Sequence, residues 1–306
     1  MKAMTRATLT PGPGMNEVAD ELTRLLGGRV APAPVERVHG GCISDSYRWE
    51  GGQETLFVKL GDPQSAVAFA AEAAGLEELA AARAVRVPQV RACGRTAGTA
   101  FLALEWLDLR QATAACETLL GEQLAFQHRS GAATFGWMRD NAIGSTPQHN
   151  TTTGDWVTFF RDLRLKFQLD LALSNGHAGA LQDRGRLLLE AMPAFFSSYR
   201  PVPSLLHGDL WGGNFAATAD GTPVIFDPAV YYGDREADIA MTRLFGGFGH
   251  SFHTAYHTAW PLDQAAGTRR GLYNLYHVLN HLNLCGGSYG EQARSMIDRL
   301  LAELGH

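Results

Sequence analysis

A chain of 306 residues, 45% hydrophobic and 19% charged, can bury a real core as one large domain or as two smaller lobes. Its net charge of −5 and pI near 6.1 exclude the basic surplus that a nucleic-acid binder gathers on one face, so small molecules or groups exposed on proteins are the expected partners. Cys42, Cys93, Cys116 and Cys285 form no CxxC pair, no apolar run is long enough to span a membrane, and Met1 to Pro13 lacks an export signal, which together point to a reducing, cytoplasmic setting.

In chain order, Asn16 to Leu26 carries Val18, Leu22, Leu25 and Leu26 near helical spacing and stops at Gly27-Gly28. The period then changes. Val35 to Val38, Ser46 to Trp49 and Thr55 to Leu60 are short β-branched and aromatic runs divided by glycine pairs, as three antiparallel strands would be. A helix over Ser65 to Arg83 and a hairpin of Gln89 to Cys93 with Thr99 to Leu107 follow. Beyond Leu109 long helical patterns dominate: Cys116 to His128, Trp156 to Leu173, Arg186 to Ser197, Asp238 to Trp260, Leu272 to Leu284 and Glu291 to Leu304. In the second of these, Trp156, Phe159, Phe160, Leu163 and Phe167 mark one buried face. A short β interruption spans Leu205 to Asp227, and the connection from Gly131 to Gly154 is too long to be idle. The expected fold is α+β and two-lobed: residues 1–108 form a small antiparallel-sheet lobe with a helix, and 109–306 a larger, mostly α lobe.

The chemistry concentrates in His207-Gly208-Asp209-Leu210-Trp211-Gly212-Gly213-Asn214 and in Val224-Ile225-Phe226-Asp227. The kinase catalytic loop H-R-D-x-x-x-x-N uses its Asp to receive a hydroxyl proton and its Asn to hold Mg²⁺, and a second metal-binding Asp closes the next strand. Asp209, Asn214 and Asp227 have that spacing, which isolated turn aspartates would not reproduce. Asp209 is therefore the candidate catalytic base, and Asn214 and Asp227 are the candidate metal ligands beside ATP.

The matching half lies in the small lobe. Lys59 ends the apolar strand Leu56-Phe57-Val58, where a phosphate-pairing lysine belongs, and Glu72 follows on the next helix as its ion-pair partner. Each alone reads as a surface charge. Gly40, Gly41 and Cys42 lie between the first two strands, where backbone N–H groups approach phosphates, although the full G-x-G-x-x-G spacing is missing. Glu105 and Leu107, at the end of the second hairpin, complete the candidate nucleotide contacts.

These residues, with Glu72 to Leu76, Phe135-Gly136-Trp137, Ile143 to Asn150, Trp156 to Leu165, Tyr232 to Asp238 and Leu279 to Asn283, resemble the fructosamine kinase (ketosamine-3-kinase) family over nearly the whole chain. The resemblance implies a protein-kinase-like fold and ATP- and Mg²⁺-dependent phosphorylation of the 3-hydroxyl of ketosamines, either small molecules or glycated proteins, in deglycation or repair. As that pattern has it, Pro228-Ala229 follows Asp227, while His149 and Cys285 stand where Pro and Phe are frequent. An aminoglycoside- or choline-type phosphotransferase and a silent nucleotide-binding scaffold are the alternatives.

Trp211 either stacks on the acceptor or packs its loop. Asp234 and Asp238 are candidates either to contact the acceptor's cationic amine or to cap the helix beginning near Asp238, with the cap the favoured role for Asp238. His277 and His281 stand four apart on a predicted helix without an HExxH glutamate, so His277 reads as a satisfied core histidine, and His281 as a substrate candidate through the resemblance. Cys42 is either a packing residue or an oxidisable thiol in the phosphate turn, which leaves a monomer or a redox-linked dimer as the expected states.

Overall fold

The computed structural model describes residues 14–32, 36–38, 45–50 and 54–305. The first helix, α1 (Met15–Leu26), ends where Gly27 turns left-handed at φ 68° and returns its N–H to Thr23 O. Strands β1 (Glu36–Val38), β2 (Asp45–Glu50), β3 (Thr55–Gly61), β4 (Val90–Arg95) and β5 (Ala100–Glu105) form one antiparallel sheet in the order β1-β2-β3-β5-β4, with α2 (Ala66–Ala81) inserted after β3.

Strand periodicity decides what each face of this sheet does. Leu56, Val58 and Leu60 of β3 join Phe101 and Ala103 of β5 in a cluster with Val18, Ala19 and Leu22 of α1. The alternate residues Ala100, Leu102 and Leu104 pack on Phe69, Ala73 and Leu76 of α2. Both faces are covered, which is why β5 reads as a continuous apolar run rather than an alternating one. Lys59, between Val58 and Leu60, therefore points to the α2 side.

The larger lobe is mostly helical. It contains α3 (Ala114–Gln127), the hairpin β6 (Asn141–Ile143) and β7 (Thr146–Gln148), α4 (Trp156–Phe160), α5 (Phe167–Ser174) and α6 (Ala180–Ala191). Then come β8 (Ser204–Leu206), β9 (Phe215–Ala217), β10 (Pro223–Ile225), β11 (Tyr231–Gly233), α7 (Glu236–Met241), α8 (His250–Ala259), α9 (Ala266–Cys285) and α10 (Tyr289–Glu303). β9 pairs with β10 and β8 with β11, so two small ladders carry the segments on either side of Asp209 and Asp227. Thr113 and Asp155 cap α3 and α4 by accepting from the N–H groups of Cys116 and Thr158.

Four expectations change. The helix expected over Asp238 to Trp260 is two helices, α7 and α8, parted by a segment that turns at Gly246, φ 78°. The helices expected from Arg186 and Leu272 begin earlier, at Ala180 and Ala266. The long connection from Gly131 to Gly154 contains a hairpin of its own. The helical face expected to run from Trp156 through Leu163 and Phe167 shifts by one residue: a π-helical turn over Arg161–Lys166 inserts an extra residue, and Arg164, Leu165, Gln168 and Leu169 become the buried positions.

Helix α3 lies close against α8, and the reason is Gly121. A Cβ there would come within 2.5 Å of Phe252 O and 2.9 Å of Tyr256 N, both backbone atoms that cannot rotate away. Gly121→Ala is expected to lower stability by about 1–3 kcal/mol through overpacking, which outweighs the gain of about 1 kcal/mol in helix propensity. Urea unfolding measures the balance, and an unchanged or raised midpoint would contradict it.

Candidate active site

The site is built where the two lobes face each other. Lys59 Nζ donates to Glu72 Oε1 at 2.7 Å and to Asp227 Oδ1 at 2.7 Å, joining the sheet, α2 and the large lobe through one ammonium. Burial alone would discharge Lys59, but the Glu72 and Asp227 carboxylates outweigh it and hold its pKa above the ordinary lysine value. Gly75 lets α2 approach this closely, since a Cβ there would meet Val230 at 3.2 Å.

Asp227 sits at φ 56°, a left-handed conformation that an aspartate tolerates better than most residues and that turns the chain out of β10. Asn214 Nδ2 donates to Asp209 O at 2.9 Å, to Asp209 Oδ2 at 3.3 Å and to Asp227 O at 3.5 Å, so a single amide ties the two acidic segments together. The Asp209 carboxyl is pushed up to about 7, first by burial and then by the neighbouring Asp227 charge, against the opposing bond from Asn214.

The loop that carries Asp209 is held from below. Asp238 accepts from the backbone N–H groups of His207 (2.7 Å) and Gly208 (2.9 Å), and its carboxylate also meets His128 Nε2 at 3.1 Å. Burial works against that charge, yet the bonds from His128 and the loop keep its pKa below the usual carboxylate range. His207 Nδ1 accepts from Asp209 N at 3.3 Å, so its Nε2 carries the hydrogen donated to Phe226 O at 3.0 Å, and burial keeps the ring neutral. Gly208 is obligatory here: its φ is 82° and a Cβ would fall 2.0 Å from Ala229 O.

A cavity of about 360 Å³ opens between these groups, lined by Lys59, Glu72, Asp209, Asn214 and Asp227 together with Asn141 to Gly144 of the β6–β7 hairpin. Trp211 lines it too, 38% exposed, with its ring over Gly213, where a Cβ would lie 2.3 Å from the indole. Asp227 and Asn214 offer hard oxygen donors, the set that suits Mg²⁺. Among the described residues no group of three or more His, Cys, Asp or Glu is placed to hold a metal ion.

The structure thus brings together Lys59, Glu72, Asp209, Trp211, Asn214 and Asp227. Gly40, Gly41 and Cys42 lie outside the described residues. Glu105 turns its carboxylate to Arg86 (3.2 Å) and to the Gln89 N–H (2.9 Å), and neither it nor Leu107 lines the cavity. Asp234 does not reach the cavity: it is buried and accepts from Tyr199 (2.9 Å), Tyr273 (2.5 Å) and the Glu236 N–H (3.0 Å). Asp238 anchors the catalytic-type loop rather than capping a helix. His281 makes tilted ring contacts with Phe245 and Tyr289 and is not part of the cavity lining, and His277 is buried with its Nδ1 unpartnered rather than satisfied.

Residues 14–303 match the family model for fructosamine kinase. The chain belongs to the fructosamine kinase family. Within that family it is 41% identical over 293 residues to a probable ketoamine kinase of Synechocystis, covering 95% of this chain and 98% of the relative. It is 39% identical over 270 residues to the chloroplastic protein-ribulosamine 3-kinase of Arabidopsis thaliana, covering 87% and 82%. The solved structure of a candidate fructosamine-3-kinase from Thermobifida fusca matches with a TM-score of 0.81 at 32% identity, over 94% of this chain and 99% of that one. An aminoglycoside phosphotransferase at 13% identity shares the fold alone, with a TM-score of 0.62. This fructosamine kinase family member is an ATP-dependent phosphotransferase with the protein-kinase-like, two-lobed fold. Among its described residues no helix is long and apolar enough to cross a membrane.

Residue-level reading of the sequence missed His128 and the buried Arg164, and gave Asp238 other roles than the anchoring one it has. Asp238 carries only its nearness to the Asp227 segment as a signal, and His128 ends α3 a hundred residues away, with nothing in its neighbours to mark it.

Proposed function

We propose that the protein phosphorylates the 3-hydroxyl of ketosamines, the sugar adducts of amines and protein lysines, and so starts their removal. The observation that carries this reading is the single cavity in which Asp209, raised toward neutrality, faces Asp227, Asn214 and the Lys59–Glu72 pair. On this reading residues 1–108 form the nucleotide lobe and 109–306 the catalytic lobe. Asp227 and Asn214 are the ligands for Mg²⁺, and Lys59, kept charged by its carboxylates, meets the phosphates of the nucleotide. Mg·ATP, when bound, supplies the phosphoryl group and neutralises its charge. Asp209 accepts the proton of the acceptor hydroxyl as the oxygen attacks. Trp211 offers its exposed face to the sugar.

Support for the acceptor class comes from the relatives, a probable ketoamine kinase and a protein-ribulosamine 3-kinase, which cover most of this chain. The test is a phosphate-transfer assay on ribulosamine, erythrulosamine, psicosamine and fructosamine, with choline and kanamycin beside them. The expected result is turnover of the ketosamines, with pentose- and tetrose-derived adducts ahead of fructosamine in kcat/KM. A fructosamine value equal to or above that of ribulosamine would sink the sugar preference. Turnover of kanamycin or choline alone would sink the ketosamine reading.

A further inference from the structure

Arg164 is fully buried and makes no ion pair to a carboxylate among the described residues. The π-helical turn over Arg161–Lys166 aims it inward, with the rings of Phe159 and Tyr231 at 4.6 and 4.3 Å from the guanidinium carbon. An unpaired buried cation is unfavourable for stability, so its position invites a functional explanation. Its Nη1 donates to His149 O and its Nη2 to Asn150 Oδ1, both at 2.6 Å, at the exit of the β6–β7 hairpin.

A guanidinium can only donate, and that one-way chemistry fixes every amide beyond it. Asn150 must offer its oxygen to Arg164, so its Nδ2 is directed at Asn141 Oδ1, 2.9 Å away. Asn141 must then offer its oxygen, so its Nδ2 is directed at Val230 O at 2.8 Å. A parallel branch starts at Tyr276, whose hydroxyl donates to Gln148 Oε1 at 2.8 Å while Gln148 Nε2 donates to Asn141 Oδ1 at 2.9 Å and Ala229 O at 3.1 Å. Both branches end on the backbone two and three residues after Asp227. They clamp the hairpin whose Asn141 to Gly144 segment forms the cavity wall shared with Asp209 and Trp211.

We propose that Arg164 and Tyr276 are positioning residues for the acceptor: through this amide chain they fix the distance between the Asn141–Gly144 wall and Asp209, and so how the acceptor presents its hydroxyl to the base. The inference deepens the ketosamine kinase reading and rests on it for the identity of the acceptor alone. Neither residue lines the cavity, so each acts through the wall it holds, with that effect assigned to the acceptor rather than to the nucleotide.

The experiment compares Arg164→Gln, Arg164→Lys and Tyr276→Phe in the full chain, measuring kcat/KM for the acceptor and the Kd of Mg·ATP. Gln can accept as well as donate, so Asn150 is free to reverse; kcat/KM for ribulosamine should fall about tenfold or more, as small misplacements of a reacting group do. Lys is donor-only and should recover part of the loss. Tyr276→Phe, which removes one hydroxyl and is the gentlest test of the same clamp, should also lower acceptor kcat/KM, and it decides the matter if Arg164→Gln does not fold. All three should leave the Kd of Mg·ATP within about twofold of wild type. Acceptor kcat/KM unchanged in Tyr276→Phe, a Kd for Mg·ATP that worsens in step with acceptor kcat/KM, or Lys no better than Gln would each overturn the proposal. If the wild type uses an alcohol other than a ketosamine, the proposed function fails, and the same variants measured on that alcohol still decide the clamp.

Discussion

Asp209→Asn is expected to lower kcat by at least about two orders of magnitude while Mg·ATP binding stays nearly intact, because a positioned base contributes roughly 10²- to 10⁴-fold. The substitution keeps the shape of the side chain, and the loop remains held by Asp238 through the N–H groups of His207 and Gly208. What is lost is the carboxylate that takes the hydroxyl proton. The sign of the pH dependence follows from the same group. With a carboxyl pushed up to about 7 by burial and by Asp227, the active ionised form is gained as pH rises through that value and lost as it falls. Mg²⁺ bound at Asp227 would neutralise part of the neighbouring charge and move this acidic limb to lower pH. Wild-type kcat should therefore show an acidic limb that the residual activity of Asp209→Asn lacks. Near-normal turnover in the variant, or an identical limb in both, would remove Asp209 from the role.

Asp227→Ala is expected to act on the other half of the reaction. It removes a candidate metal ligand and one of the two carboxylates that neutralise Lys59, so Mg²⁺-dependent nucleotide binding should weaken by more than the roughly 10- to 100-fold that follows loss of a mere supporting partner of a metal ligand. The position is also left-handed, φ 56°, where Ala is less at ease than Asp. Asp227→Asn separates the two effects, because Asn tolerates that backbone and keeps one carbonyl oxygen but no charge. Titration calorimetry with and without Mg²⁺ reads the result. If Asp227→Ala binds Mg·ATP as the parent does, the metal assignment fails.

How much of this site could be seen in advance differs from residue to residue. Lys59 was legible from its place at the end of the apolar run Leu56-Phe57-Val58, with Glu72 on the next helix; in the fold, strand alternation turns it away from the α1 face and toward α2, where Glu72 lies. Asp209, Asn214 and Asp227 were legible because their spacing is dictated by one short loop and one hairpin, β9–β10, that any chain of this pattern must close in the same way. Asp234 was misplaced for the opposite reason. Its nearness in sequence to Asp227 said nothing about direction, and β11 turns it into the core under Tyr199 and Tyr273.

The sequence by itself determined the two-lobed α+β architecture, most of its helices and strands, and the core set Lys59, Glu72, Asp209, Asn214 and Asp227 that lines the cleft, since these rest on local periodicity, turn chemistry and short-range spacing. Only the tertiary structure decided which buried polar groups hold that cleft in shape. A π-helical turn slips the expected face of the Trp156 helix by one residue and buries Arg164, a shift that a 3.6-residue period cannot announce. Asp238 and His128 meet across 110 positions, and Tyr276 reaches Gln148 across 128, through hydrogen bonds that exist only once the core has formed. A polar side chain's identity is written in the sequence; its partner is set by whichever donor or acceptor the packed core leaves within reach, because a buried group must be satisfied there or lose the stability of its contacts with water.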